Sequence, residues 1–482
     1  MINFRVILNI LGLLLLVEGI FMLLSALVSV IYGENQMLEI AMSAGITMSF
    51  GSFLWLLTKK SSKSFGKREG YIIVSISWII FSFFGTLPFI LTGSIPSFTD
   101  AFFETMSGFT TTGASILSDI ESLSHGILFW RSITQWMGGM GIIVLSLAIL
   151  PILGVGGMQL FVAEVPGPTP DKLHPRIKET AKRLWGIYII FTIMETLLLW
   201  AGEMNFFDAI NHSFTTMATG GYSTKQASVA AFASPYTHYI IIIFMFLAGT
   251  NFTLSYFAMH FKFRKVFQNE EFLFYGVVTL LITVVIAIGL YTSSHISAEQ
   301  SFRDSLFQVV SIITTTGYAT ADYLQWAPLL TILIFVCMFI GGSAGSTGGG
   351  VKVVRIMLLL KNSFLELKRL IHRNAVIPVR FNREAVPSDI ITNILAFTSF
   401  YAITVILSTV VISAFGYSLD SSMGAVAATL GNIGPGLGAV GPVENYAHMP
   451  DFLKWFTSAL MLIGRLELFT VLVLFSPSFW KK

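Results

Sequence analysis

The chain lacks most of what soluble functions are built from. Its 482 residues contain one cysteine, Cys337, set in an apolar run, which excludes an intramolecular disulfide and leaves the redox compartment unmarked. The eight histidines are scattered, with no HxxxH or CxxC spacing, so no protein-bound transition metal is expected. Asp, Glu, Lys and Arg make up 11% of the residues, against about 25% in an ordinary soluble protein. The formal net charge of +3 is too small to argue for nucleic acid or an acidic partner. No Ser/His, Asp/Asp or HExxH constellation joins a nucleophile to a base, so the chain reads as no enzyme, and no organic cofactor is expected.

What is present is apolar sequence. Hydrophobic residues reach 54%, with 43 phenylalanines. Runs of roughly 17–25 apolar residues read as bilayer-spanning helices, and the sequence offers ten: 7–31, 37–57, 71–91, 127–153, 184–200, 239–261, 272–291, 329–360, 390–415 and 452–475. The first is long for a signal-peptide core and contains Glu18, so it is expected to be a span. Basic residues fall in alternate loops: Lys59 to Arg68, Lys172 to Arg183, Lys262 to Lys265, Lys361 to Arg383, and the terminal Lys481 and Lys482. The opposite loops hold almost none beyond Lys225, Arg303 and, at helix starts, Arg131 and Lys454. By the positive-inside rule both termini are cytoplasmic.

Four of the outer loops resemble one another. They read Asp100-AFFETMSGFTTT-Gly113, Asp208-AINHSFTTMATG-Gly221, Asp304-SLFQVVSIITTT-Gly317 and Asp420-SSMGAVAATLGNI-Gly434, and the glycines recur every 96 to 117 residues. That is an internal repeat. The Asp is expected to be an N-cap. The stretch after it is too short to cross a bilayer, so it descends halfway as a re-entrant helix. Its carboxyl end would direct a partial negative charge to the bilayer centre and favour a cation. Carbonyls in the Thr/Gly segment beyond it are tolerable at that depth only where they line a wet cavity. In a four-fold ring they would replace the hydration shell of a monovalent cation. The expected fold is all-α and integral to the membrane, with ten transmembrane and four re-entrant helices. Two leading helices (1–69) precede repeats at 70–160, 161–265, 266–383 and 384–482.

These residues resemble the Trk/Ktr/HKT superfamily of potassium and sodium transporters, and within it the TrkH-type bacterial uptake subunits. The likeness rests on TTTGA (110–114), ATGGYST (218–224), TTTGYAT (314–320), GNIGPGLG (431–438), RSITQWMGGMGI (131–142), GGSAGSTGGGVK (341–352) and GRLELFT (464–470), and it covers nearly the whole chain. It implies potassium as the transported ion at the bacterial inner membrane, a homodimer with one pore per protomer, and a cytosolic TrkA-type ring of nucleotide-binding domains as regulator. The implied ion ligands are backbone carbonyls of Thr110, Thr111, Thr112 and Gly113; Ala218, Thr219, Gly220 and Gly221; Thr314, Thr315, Thr316 and Gly317; and Gly431, Asn432, Ile433 and Gly434. Glycine at the fourth place of every set goes with potassium, whereas unequal flanking residues imply modest discrimination against sodium.

Two features lie outside the repeat. Six glycines among residues 341–350 cannot sustain a helix, so an irregular segment under the filter is expected. Gly345, Ser346, Thr347, Gly348, Gly349, Gly350 and Lys352 would form a mobile constriction, or else serve close helix packing. A phosphate-binding loop is excluded because Val351 and Val353 break GxxxxGK[ST]. Arg465 is a costly charge near the middle of the last span. It either faces the pore below the filter, as the resemblance suggests, or neutralises Glu18, Glu195 or Glu104. A coupled potassium symporter is the competing function. Glu18, Glu195 and Glu467 are candidate acids for it, but none is expected in a broken helix with a relay partner.

Overall fold

The computed structural model describes residues 2–59, 66–141, 177–294, 296–372 and 374–481. They are mostly helical, with a single small hairpin of β1 (Arg380–Phe381) and β2 (Glu384–Ala385) among the described residues. Helices α1 (Phe4–Ile31) and α2 (Met37–Thr58) form a leading antiparallel pair. They approach closely where Gly12 meets Gly51: a Cβ on Gly51 would lie 2.8 Å from the Gly12 carbonyl oxygen. Small residues at such a crossing let backbones touch in lipid, where no hydrophobic force drives helices together. One face of α1 is buried, through Ile7, Leu11, Leu14 and Met22, while Leu27 and Ile31 are exposed. In water that exposure would cost about 1.5–3 kcal/mol per side chain; hydrocarbon removes the cost.

Next come α3 (Lys67–Gly85), α4 (Phe98–Phe109), α5 (His125–Gly139), α6 (Ile177–Trp200), α7 (Phe206–Met217), α8 (Pro235–Ala248) and α9 (Phe252–Met259). Then follow α10 (Glu270–Ser293), α11 (Ala298–Ile313), α12 (Pro328–Cys337), α13 (Val353–Ile371), α14 (Ser388–Ser413), α15 (Leu419–Leu430), α16 (Asp451–Arg465) and α17 (Phe469–Leu472). Six helices among the described residues are long and apolar enough to cross a membrane, or up to eight if each of two bent pairs is one span. The expected sixth span is α8 and α9, bent by 111°, and the tenth is bent by 108° after Arg465. The expected eighth is broken into α12 and α13 by the glycine-rich segment. Residues 142–153 of the fourth, and the basic residues Lys60, Lys63, Lys172, Arg176, Arg373 and Lys482, lie outside the described residues.

Helices α4, α7, α11 and α15 are the short ones that the repeat implies, with 12, 12, 16 and 12 residues. Their starts correct the sequence reading, because the repeated Asp is not the N-cap. Ser97, Asn205 and Ser297 occupy that place and accept from the N–H of Asp100, Asp208 and Gln300. Ser418 holds it in α15. Asp100, Asp208 and Asp420 lie within the first turn, where a carboxylate complements the helix dipole, and Asp304 falls in the second turn of the longer α11.

Gly51→Leu should separate α1 from α2. Overpacking of this kind costs about 1–3 kcal/mol, so a lower melting temperature of the purified protein is expected, with ion flux per folded molecule unchanged. An unaltered melting temperature would show that the crossing is loose.

Candidate functional site

The four short helices end in the same way. After Phe109, Met217, Ile313 and Leu430 come Thr110, Ala218, Thr314 and Gly431, then Thr111, Thr219, Thr315 and Asn432 with φ of 54°, 53°, 60° and 55°. The N–H groups of these four return to Gly108, Thr216, Ile312 and Thr429. Those of Thr112, Gly220, Thr316 and Ile433 return to Ser107, Thr215, Ser311 and Ala428, each at 2.8 Å. This is the paired closure of a helix C-terminus that normally uses glycine at its left-handed position. Three threonines and an asparagine stand there instead, at a strain of roughly 1–2 kcal/mol each. Gly113, Gly221, Gly317 and Gly434 follow two residues later with φ of 80°, 75°, 81° and 96°.

The segments touch in cyclic order. A Cβ on Gly113 would strike the Gly220 carbonyl oxygen, one on Gly221 that of Thr316, and one on Gly317 that of Ile433. A Cβ on Gly434 would lie 2.7 Å from the Thr112 oxygen, which closes the ring. All four glycines line one cavity of about 80 Å³, shared with Arg131, Lys225 and Glu444. Side-chain contacts break the backbone's near-equivalence. Asn432 donates to Thr112 Oγ1 and to the Met461 carbonyl, both at 2.9 Å, and Gln135 donates to the Gly220 carbonyl at 2.7 Å.

The glycine-rich segment lies against the other side of the ring. Thr347 Oγ1 donates to the Met217 carbonyl at 3.0 Å, and the Gly349 N–H donates to Thr315 Oγ1 at 2.7 Å. A Cβ on Gly349 would lie 2.8 Å from both Asn432 Cβ and the Gly431 oxygen. The segment is pinned to the α8–α9 break by Ser343 N–H to the Gly249 carbonyl and Phe252 N–H to the Gly345 carbonyl. Glu271 accepts from the Ala344 N–H at 2.7 Å, and Lys352 donates to the Gly348 carbonyl. Beyond it opens a larger cavity of about 480 Å³, lined by Gly345 to Gly350, Lys352, Arg355, Arg465 and Glu467 among others.

Arg465 joins the ring to this segment. Its guanidinium donates to Thr111 Oγ1 at 3.0 Å, to the Thr347 carbonyl at 2.8 Å, and to the Gly138 and Gly139 carbonyls at 2.6 and 3.1 Å. Of the acids weighed as its partner, Glu104 is held by Arg131. Glu195 sits beside Thr216, and Glu18 is wholly buried on α1. Glu467 needs a correction: it lies at the 108° bend with φ 54° and pairs with Arg355, so one acid does occupy a broken helix beside a charged partner. Sequence reading also missed Gln135, Glu271 and the breaks after Gly249 and Arg465. Asn251, which caps α9, was the available signal for the first break; the stretch around Leu466 offers neither Gly–Gly nor Pro.

Arg355 and Glu467 are both largely buried, and removing one partner of such a pair costs roughly 3–5 kcal/mol. Arg355→Met should therefore lower the melting temperature sharply, and Arg355→Met with Glu467→Gln should recover much of the loss. Thermal unfolding of the two purified variants checks this; equal losses would mean that packing of Arg355 on Phe397, 4.0 Å from the ring centroid, outweighs the charge pair.

A family described as "Cation transport protein" (TrkH) matches residues 37–482. The chain is 45% identical over 484 residues to the Trk system potassium uptake protein TrkH of Salmonella typhimurium, with all of both chains covered. It is 32% identical to the Trk system potassium uptake protein TrkG of Escherichia coli K12, over 99% of each chain. The crystal structure of the potassium transporter TrkH from Vibrio parahaemolyticus matches with a TM-score of 0.90 at 38% identity, covering 100% of both chains. These relatives are transporters and not enzymes. Sequence, helical architecture and apolar spans agree: the chain belongs to the TrkH family of membrane cation transport proteins.

Proposed function

We propose that this chain carries potassium ions into the bacterial cell through a central pore whose filter is the ring of Thr112, Gly220, Thr316 and Ile433 carbonyls against the four glycines. The observation that carries the reading is the closed cyclic contact of four segments with matching positive φ at two places each. Helix closure alone accounts for the first positive φ of each segment. Connecting loops have no reason to add a second at a glycine pressed on its neighbour's carbonyl around a closed ring, and carbonyls so ringed can replace a cation's hydration shell. The printed names of the relatives supply potassium as the ion. The residue sets from 110–113, 218–221, 314–317 and 431–434 are the proposed ligands. The domain boundaries follow the same four repeats behind two leading helices, with both termini cytoplasmic.

The segment from Gly345 to Gly350, with Lys352, is the proposed gate. It contacts the third and fourth filter segments directly, reaches the second through Met217 just before it, and the first through Arg465. A homodimer and a cytosolic nucleotide-binding ring are the proposed partners, in keeping with relatives named as parts of a Trk system. Coupled symport with protons or sodium stands as a second reading, favoured by the Glu467–Arg355 pair at the broken helix. Flux in liposomes under separate potassium, sodium and proton gradients decides. Uncoupled conduction reverses at the potassium equilibrium potential, coupled transport shifts with the second ion, and absence of potassium flux from folded protein sinks both.

Gly113→Ser tests the ring. A Cβ at φ 80° would press on the Gly220 carbonyl and widen the cage, so the potassium-to-sodium permeability ratio should fall about tenfold, equivalent to ~1.4 kcal/mol. An unchanged ratio would remove the first segment from the filter.

Arg465→Ala tests the gate. Two unit charges about 8 Å apart repel by ~2 kcal/mol at an effective dielectric near 20, and arginine does not shed its proton to avoid this. Losing the guanidinium removes that barrier and the tie between Thr111 and Thr347. Basal potassium flux per folded molecule should rise, and single-pore conductance with melting temperature on one preparation checks it. A destabilised variant with wild-type conductance would make Arg465 a structural tie only.

A further inference from the structure

The first and second filter segments are joined by a network unlike those at the other junctions. Its centre is the ion pair of Arg131 on α5 with Glu104 on α4, whose side chains are 3% and 0% exposed. No other ion pair among the described residues is buried as deeply on both sides. Glu104 Oε1 accepts from Arg131 Nε at 2.7 Å and from Ser115 Oγ at 3.1 Å, and Oε2 accepts from the Ile116 N–H at 3.0 Å. Arg131 Nη1 donates to the Ser223 carbonyl at 3.0 Å, and its guanidinium lies 3.6 Å from the centroid of the Tyr222 ring. The Tyr222 hydroxyl donates back to the Glu104 carbonyl at 2.8 Å. One turn further along α5, Gln135 accepts from the Tyr222 N–H at 3.0 Å and donates to the Gly220 carbonyl at 2.7 Å.

Residues 115–116 and 222–223, which follow Gly113 and Gly221 on the outer side of the ring, are thus tied to one pair of charges. The other junctions use neutral groups at this level. Tyr318 donates to the His212 carbonyl, Tyr323 to the Gly436 carbonyl and the Tyr446 N–H to the Ser115 carbonyl. The pair of Lys454 with Asp100 sits at the start of α4, with Asp100 25% exposed. Two charges in a dry interior are poor sources of stability compared with apolar packing. What they supply is direction: a guanidinium fork and a carboxylate have fixed geometry, and a misplaced segment would strand a buried charge.

We propose that Arg131 and Glu104 are positioning residues for ion specificity: their pair sets the spacing between the first and second filter segments, and so the width of the carbonyl ring. The inference rests on the ring being a cation filter. Arg131 also lines the outer cavity, where an unpaired guanidinium would repel entering cations, so geometry and charge must be separated.

The experiment uses the purified full chain in liposomes, with potassium and sodium permeabilities and melting temperature measured on each preparation. Wild-type protein must first prefer potassium. Conduction without preference would remove the filter reading, whatever the variants do. Glu104→Gln keeps the shape and loses the charge; Arg131→Lys keeps the charge and loses the fork. Each should lower the potassium-to-sodium ratio about tenfold in folded protein. Glu104→Gln with Arg131→Gln restores neutrality without the fixed fork, and its ratio should stay low while potassium flux recovers relative to Glu104→Gln alone. Wild-type ratios in the folded single variants overturn the proposal, as does a double variant whose ratio returns to wild type, which would make the effect charge alone. Failure of both single variants to fold also overturns it, making the pair a stability element.

Discussion

A backbone carbonyl at membrane depth must find a donor, or water, or an ion, because hydrocarbon offers none. Most of this molecule meets that requirement by continuous helix. The described centre departs from it in one place after another. Four short helices stop, the N–H groups just beyond them fold back at 2.8 Å, and the carbonyls there face the glycine of the preceding segment in the cycle. The requirement reappears below the ring, where α8 ends at Ala248, α12 at Cys337 and α16 at Arg465. Their freed groups are taken up by one another: Ser343 and Thr347 N–H groups go to Gly249 and Ala248, and Arg465 covers Gly138 and Gly139. The segment under the ring is thus held by the polar groups that helix breaks release. For the gate proposed above, opening would exchange such bonds for water without unpacking a hydrophobic core.

The left-handed threonines give the same constraint an energetic sign. Glycine at 111, 219 and 315 would relieve strain. Threonine brings a hydroxyl that glycine cannot supply: Thr111 Oγ1 accepts from Arg465, and Thr315 Oγ1 accepts from the Gly349 N–H. Strain at these positions persists because the helix closure on one side and the segment below on the other over-determine them. Asn432 holds the fourth place and turns its amide sideways to Thr112 and Met461. The ring is therefore four-fold in backbone and unequal in what braces it.

How much of this was legible follows from range along the chain. The Asp-to-Gly spacing and the Thr/Gly runs are local, and they mark the four stretches that follow the short helices and carry a left-handed glycine. The glycine-rich interruption was legible for the same reason, since composition alone forbids helix there. The N-caps differ from the sequence expectation because the repeated Asp marks the first or second turn, while the capping Ser or Asn stands two or three residues before it in three helices and seven before it in α11. The bend after Arg465 left no trace, because residues 466–475 keep an apolar helical composition and the break is imposed by Arg465 and Glu467 finding partners in distant segments. Glu104 and Arg131 are 27 residues apart on different helices, and no periodicity links them.

Unequal bracing bears on why one chain carries four repeats where a symmetric assembly of identical units would also close a ring. Identical repeats would have to place any buried charge four times around one axis, and each would carry its own desolvation penalty of several kcal/mol. Four linked but divergent repeats allow a single Arg131–Glu104 pair at one junction, a single Asn432 amide at another, a single Arg465 beneath the ring and a single interrupted helix. Four copies of Arg465 would place four like charges beneath one ring, where they repel one another. Divergence lets the chain keep the shared backbone closure that forms the ring and concentrate control on one side of it. The third repeat supplies the segment beneath the ring and the fourth supplies the arginine that ties it to the first, so any motion of that segment must be asymmetric about the axis of the ring.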